Sequence, residues 1–341
     1  MEEFSNYIQD HIAVAVDETI RLGTVDFRLV SNVPGFAALQ YFSKVARLPN
    51  HGKRTVFELW CVSLKESSLD RQYIQAHIDQ TYRGKSFTDG YYATDHFGSP
   101  VYLVTCGHRY FVFGEQLERV VWPYFVKYFL MLHTLNGEAL QLKGAACKIG
   151  SAGTLILGRG GTGKTVFLTQ LCLHGAKFIT NSHAVITKGQ VIGVASSIRI
   201  RPGHWFSDLT AKVENTPALK SGEIIIDPYD VFDIRVKDQE PVEIKNLCII
   251  DFQKPGCHII KELSEQDAYN YAEQFSLAIN VYRLEEDLLD LYKNDPWKFS
   301  QAYNKMKIQL REIVARSRCY YISSDVLEKT YRDEIIALLS S

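Results

Sequence analysis

The octet Gly158-Arg159-Gly160-Gly161-Thr162-Gly163-Lys164-Thr165 matches G-x-x-x-x-G-K-[ST] at every position, with the apolar run TLILG before it and the helix-compatible VFLTQLCLHG after it. It calls for strand, loop and helix in that order. The glycines let consecutive backbone N–H groups turn inward around phosphate oxygens, and the helix start adds the positive end of its dipole. Lys164 reaches the terminal phosphates and Thr165 offers a hydroxyl to Mg2+. Gly158 through Thr165, with Arg159 facing solvent or phosphate, is therefore the expected nucleotide cradle, and ATP with Mg2+ the expected ligands.

The chain around the octet has 341 residues, enough for two domains or one large one. Apolar residues make up 46% and aromatic residues 12%, too many core-formers for disorder. Against 39 acidic residues stand 38 basic ones, a formal charge of −1 that excludes a histone-like or polybasic nucleic-acid binder. Seven cysteines, odd in number and without a CxxC pair, read as reduced thiols. MEEFSNYIQD lacks a basic stretch followed by an apolar one, so no secretory signal is expected. The apolar stretch Val120 to Leu132 is interrupted by Pro123 and Lys127 and is shorter than the ~20 residues of a membrane helix. A cytoplasmic protein with no membrane partner is expected.

TVFELWCVSL reads as a strand, and VYLVTCGHRYFVFG as two strands joined at Gly107-His108, giving an amino-terminal α+β domain over 1–136 with a substrate-binding or lid role. Its boundary falls at the end of Arg119 to Gly137, apolar all round, which predicts a buried helix stopped at Asn136-Gly137. Residues 137–341 form the nucleotide-binding domain. There LQLKGAACKI, TLILG, KFIT, HAVIT, QVIGVA, SSIRIRPG, EIIID and NLCIID predict strands, with a hairpin turn at Lys188-Gly189. Ser264 with Asp267 and Asp295-Pro296 predict helix starts, the second leading into a stripe of Met306, Leu310, Ile313 and Val314. A strand at Cys319 to Ile322 and a last helix from near Ser324 complete an α/β class.

In that order, LQLKGAACKIGSAGTLILGRGGTGKT, LCLHGAKFITNSHAVI and GQVIGVASSIRIRPG resemble the kinase domain of the HPr kinase/phosphorylase family. The likeness, over about residues 123 to 255, is nearest to the HPr-kinase-like enzymes that phosphorylate lasso peptides and other natural products. It implies a phosphoenolpyruvate-carboxykinase-like P-loop kinase core with a mixed sheet. It also implies self-association and an ATP-dependent kinase, one that moves the γ-phosphoryl group to a hydroxyl of a small molecule or peptide in natural-product biosynthesis. Where the family has a His-Gly pair this chain has Lys143-Gly144, and where it has Ala-Asn-Asp-Arg this chain has Thr180-Asn181-Ser182-His183. Asn181 matches the peptide-modifying branch. Ser182 replaces the aspartate that accepts the hydroxyl proton or holds Mg2+, and a neutral serine does neither well.

His183, one residue on, reads either as a substitute general base or as a satisfied strand histidine. Asp251 ends the apolar run NLCII in the manner of a Mg2+-binding strand end, and Asp227 is a poorer copy followed by Pro228. Arg199 and Arg201 alternate with Ile198 and Ile200 on one strand face, as a clamp on phosphate or substrate or as a solvated face. His204 and Trp205 read as loop residues near the site, and YRGKSFTDGYY, Tyr82 to Tyr92, as a lid or a packed surface loop. Catalytic candidates are thus His183, Lys164, Ser182 and Asp251. Phosphate or substrate candidates are Lys143, Asn181, Arg199 and Arg201, and metal candidates are Thr165 and Asp251. The competing reading is a nucleotide-binding regulatory or scaffold protein of the same fold without the catalytic carboxylate, and a third is an enzyme of that fold with another nucleophile or phosphoryl donor.

Overall fold

The computed structural model describes residues 2–48, 56–77, 87–88, 91–92, 101–137, 139–201, 203–213, 222–232, 234, 240–252 and 254–341. The chain divides into two units, one of Met1–Phe42, Ala46–Leu132 and Glu285–Phe299, the other of Ser43–Val45, His133–Leu284 and Ser300–Ser341. The end of the apolar helix predicts a cut at 136/137. Instead the division falls inside that helix, and two short segments are exchanged. Apolar periodicity marks where a helix ends, but not which core each of its turns joins.

The first unit comprises α1 (Glu2–His11), β1 (Val16–Leu22), β2 (Val25–Ser31), β3 (Arg47–Leu48), β4 (Phe57–Ser63), α2 (Arg71–Gln75), β5 (Phe87–Thr88), β6 (Tyr91–Tyr92), β7 (Tyr102–Cys106), β8 (Arg109–Gly114) and α3 (Glu118–Val120). A π-helical turn, Val121–Phe125, then carries Pro123 into α4 (Val126–Asn136). Six strands lie in the order β3-β1-β2-β4-β8-β7. All seven residues of β4 are buried, because it sits inside the sheet with both faces covered. Gly107, at φ 64, makes the β7–β8 turn. Phe4 of α1 packs edge-on against Phe111, ring centroids 5.6 Å apart. Apart from β5 and β6, the stretch Tyr82 to Tyr92 lies outside the described residues.

The second unit begins with β9 (Ala139–Lys143), β10 (Ala145–Ile149), β11 (Ala152–Leu157), α5 (Lys164–Leu173), β12 (Lys177–Thr180), β13 (His183–Thr187), β14 (Gln190–Gly193) and β15 (Ile198–Ile200). After a 3₁₀ turn, His204–Phe206, come α6 (Ser207–Thr210), β16 (Ile224–Ile226), α7 (Pro228–Phe232), β17 (Val242–Ile250), β18 (His258–Glu262), α8 (Glu265–Phe275) and α9 (Ala278–Val281). Helix α10 (Glu285–Leu291) belongs to the first unit, whereas most of α11 (Pro296–Ala315), β19 (Arg318–Ser324) and α12 (Lys329–Ser340) belong to the second.

Strand β17 organises a nine-stranded mixed sheet. Its first residues pair antiparallel with β14, which leads on to β13 and β9, while Asn246 to Ile250 lie parallel between β11 and β19. Beyond β11 follow β10 and β12. Phe167, Leu168 and Leu171 of α5 pack against Ile156, Cys248, Ile322 and Leu339. Truncating a fully buried residue such as Leu171 to alanine costs about 2–5 kcal/mol.

Ser264 Oγ accepts from the Asp267 amide, and Asp295 Oδ1 from the amides of Trp297 and Lys298, so both expected helix starts are capped. LQLKGAACKI forms β9 and β10, and Gly144 between them lies against the P-loop strand, where a Cβ would stand 2.7 Å from Leu157 Cδ2. One expectation needs correction: the last helix starts at Lys329 and not near Ser324. Ser323 and Ser324 continue β19 against β18, and the Asp325 carboxylate takes the amides of Gly256 and Leu327 in a turn. All seven cysteines are free, and among the described residues no helix is long and apolar enough to cross a membrane.

Candidate functional site

Sheet polarity gathers the sequence candidates at one edge of the second unit. β11, β12 and β17 point the same way, since β10 is antiparallel to both β11 and β12 and β17 is parallel to β11. Their carboxy-terminal ends deliver the octet, Asn181-Ser182 and Asp251, and Lys143-Gly144 enters at the same edge between β9 and β10. Backbone bonds join these segments: Gly144 N donates to Ser182 O at 3.1 Å and Phe252 N to Thr162 O at 3.3 Å.

The octet turns as its glycines require. Gly158, Gly161 and Gly163 have φ of 152, 83 and 83, in the left-handed half of the map. A Cβ on Gly158 would lie 2.6 Å from Thr162 Oγ1 and 2.7 Å from Ile250 O, so only glycine passes there. Gly160 and Gly161 face open space, and among the described residues their amides and that of Gly163 make no backbone bond outside helices and strands. This is an open cradle of donors at the start of α5. Lys164 Nζ folds onto the loop, donating to Gly158 O at 2.6 Å and Arg159 O at 2.7 Å. Burial and the neighbouring Lys143 lower its ammonium from 10.5 to about 8.

Lys143 is brought in by strand pairing. It stands opposite His183 in the antiparallel β9–β13 pair, so both side chains share a face. Its ammonium lies 5.8 Å above the Tyr282 ring, and burial lowers its pKa, with no carboxylate among the described residues at ion-pair distance. Tyr282 follows α9, and its Oη lies 3.1 Å from His183 Nδ1 and 3.5 Å from Ser182 O. His183 is 1% exposed. This is the arrangement of a satisfied strand histidine that steadies the Ser182 turn, not of a base open to an incoming hydroxyl.

Among the described residues, the Asp251 carboxylate makes no hydrogen bond or ion pair; its amide donates to Ile322 O. With Thr165 in the first turn of α5 it supplies hard oxygen ligands of the kind Mg2+ takes. Among the described residues no group of three His, Cys, Asp or Glu side chains could hold a metal by itself, so phosphate oxygens would complete the shell. Among the described residues, Asn181 Oδ1 is buried without a hydrogen-bond partner, an orphaned acceptor beside Ser182.

Other candidates are placed elsewhere or otherwise occupied. Arg199 and Arg201 lie on the solvent side of the β15–β16 ribbon, 52% and 86% exposed, and share Glu223 at 3.3 and 3.4 Å. They form a solvated face and not a phosphate clamp. Asp227 caps α7: its carboxylate accepts from Ser43 Oγ, Lys44 N and Tyr229 N, which removes it as a metal ligand. Trp205 packs edge-on over Phe252, ring centroids 4.7 Å apart, and Phe252 lines Gly163.

Sequence reasoning missed Tyr271, whose Oη accepts from Arg159 N at 3.3 Å, together with Ser276 and Tyr282. Ser276 O accepts from Lys143 N at 2.7 Å. No motif marks these residues, since their partners are about a hundred positions away. A cavity of about 910 Å³ lies at the other ends of these strands, between Leu140, Ile186, Lys188 and Ile244 and the α11 residues Ile308 and Ile313. In comparisons with known proteins, no family model matches the chain and no curated protein matches it significantly.

Proposed function

We propose that the protein is an ATP-dependent kinase with an HPr-kinase-like, phosphoenolpyruvate-carboxykinase-like core, transferring the γ-phosphoryl group to a hydroxyl of a small molecule or peptide of natural-product biosynthesis. One observation carries the reading. An open P-loop shares its sheet edge with Lys143 and Asp251, neither of which has an opposite charge at ion-pair distance among the described residues. Half-buried charge without a partner is costly, and a magnesium–nucleotide complex supplies both missing partners.

In this reading the loop amides and Lys164 hold the β- and γ-phosphates, and Lys143 neutralises charge on the transferred group. Thr165 and Asp251 would hold a Mg2+, which would supply charge neutralisation at the phosphates. The acceptor hydroxyl enters beside Asn181 and Ser182. Its oxygen bonds to the γ-phosphorus as the bond to the bridging oxygen breaks, ADP leaves, and the hydroxyl proton is released to water. His183 acts through the Ser182 turn and does not touch the acceptor.

A second reading, a nucleotide-binding regulator of the same fold, is favoured by the neutral Ser182 where the family has a carboxylate. The test incubates protein, Mg2+ and γ-labelled ATP with a panel of hydroxyl acceptors. Labelled product that is lost in Lys164→Ala and Asp251→Asn is expected. Tight nucleotide binding with no product from any acceptor would replace the kinase reading with the regulator.

A further inference from the structure

The octet's donors are not all open, because the Arg159 amide is held by Tyr271 Oη at 3.3 Å. Tyr271 lies in the second half of α8, half-buried, with its ring 4.8 Å from that of Phe275. Burial raises the pKa of the phenol, against the lowering by the bond from the Arg159 amide and with a smaller raise from the nearby Asp251 carboxylate. A phenol that accepts one hydrogen bond still has its own O–H to donate.

Two observations say where that O–H is needed. Lys164 Nζ rests on the carbonyl of the same Arg159, so ammonium and phenol meet the same stretch of loop. A P-loop lysine serves the terminal phosphates, which puts Tyr271 at the terminal end of a bound polyphosphate. The segment that carries Tyr271 also holds the rest of the edge in place, through Ser276 O on Lys143 N and Tyr282 Oη on His183 Nδ1.

Building on the nucleotide reading of this site, we propose that Tyr271 is a nucleotide-binding residue that donates its O–H to the terminal phosphate and makes the site prefer a nucleoside triphosphate over the diphosphate. The bond from the Arg159 amide fixes the phenol oxygen before the ligand arrives. A neutral donor adds reach without a third cation beside Lys143 and Lys164.

The test titrates the full chain, in Mg2+, with ADP and with an ATP analogue whose β,γ-bridge is an imido group. Wild type is compared with Tyr271→Phe, which keeps the ring on Phe275, and with Phe275→Leu, which keeps the hydroxyl; melting without nucleotide confirms that each variant is folded. Tyr271→Phe is expected to weaken the analogue about tenfold and ADP less than about twofold, as loss of one charge-assisted hydrogen bond requires. Phe275→Leu should leave the ratio of the two affinities unchanged. Equal weakening of both ligands by Tyr271→Phe, or no weakening of either, overturns the proposal and leaves the nucleotide reading intact. Failure of wild type to bind either ligand overturns both together.

Discussion

At the P-loop edge, Lys143, Lys164 and Asp251 stand without opposite charges at ion-pair distance among the described residues, and burial depresses both lysines. On the β15–β16 ribbon of the same unit, Arg199 and Arg201 divide one carboxylate, Glu223, and face water. Sequence pattern makes the lysines of the one and the arginines of the other look alike, as cations inside a family-like segment. The structure separates them by what each charge already has. A neutralised, hydrated set gains little from a ligand, whereas a half-buried, unmatched set is stabilised by one that brings the missing charges.

Substitutions can break that contrast. A large effect on turnover belongs to Asp251→Asn, which should lower phosphoryl transfer on the order of 100-fold while leaving metal-free nucleotide binding unchanged, read by transfer assays beside titrations with and without Mg2+. Lys143→Met should weaken triphosphate binding about tenfold. It should also move a pH effect. Phosphate-bound Lys164 keeps its proton, whereas in the free protein it titrates near pH 8, so affinity should fall above about pH 8 by up to tenfold per unit. Removing Lys143 takes away one of the two causes of the low pKa, and the fall should begin at higher pH.

For the free protein the sign is opposite. Between about 8 and 10.5 the unfolded chain holds the Lys164 proton and the folded chain does not, so this lysine's contribution to stability rises with pH across that window. Melting of wild type against Lys164→Met across that range reads it out.

How much of this the sequence carries differs by feature. The octet, the hairpin at Lys188-Gly189, the caps at Ser264 and Asp295 and the α11 stripe depend on neighbours within a few residues, and pattern reading reaches that far. The meeting of Lys143 with His183 depends on β9–β13 pairing across forty positions, and Tyr271 reaches Arg159 across 112. Ser182 was the expected weak point of the site, and what stands around it, Gly144 N, Tyr282 Oη and the buried Asn181 Oδ1, exists only after the sheet has formed. The two readings of His183 part for a related reason: spacing places it beside the missing carboxylate, and only the folded sheet puts it under Tyr282.

The smaller effects sharpen the other side of the comparison. His183→Ala should cost about 1–3 kcal/mol of stability by removing a partner of buried Tyr282, read by denaturant melts. Arg199→Ala and Arg201→Ala should leave nucleotide affinity within about twofold and stability within about 0.5 kcal/mol. A tenfold loss of affinity in either arginine variant would place the ribbon at the phosphates after all.

The central claim is that the unmatched charges of the P-loop edge are matched by a magnesium–nucleoside triphosphate. Equilibrium titration of wild type and Lys164→Ala with Mg2+ and ATP tests it most directly. The expected result is saturable one-site binding by wild type, weakened at least about 100-fold in Lys164→Ala, with both proteins folded by their melting curves. Equal affinity in the two proteins, or no binding by wild type, would contradict the account.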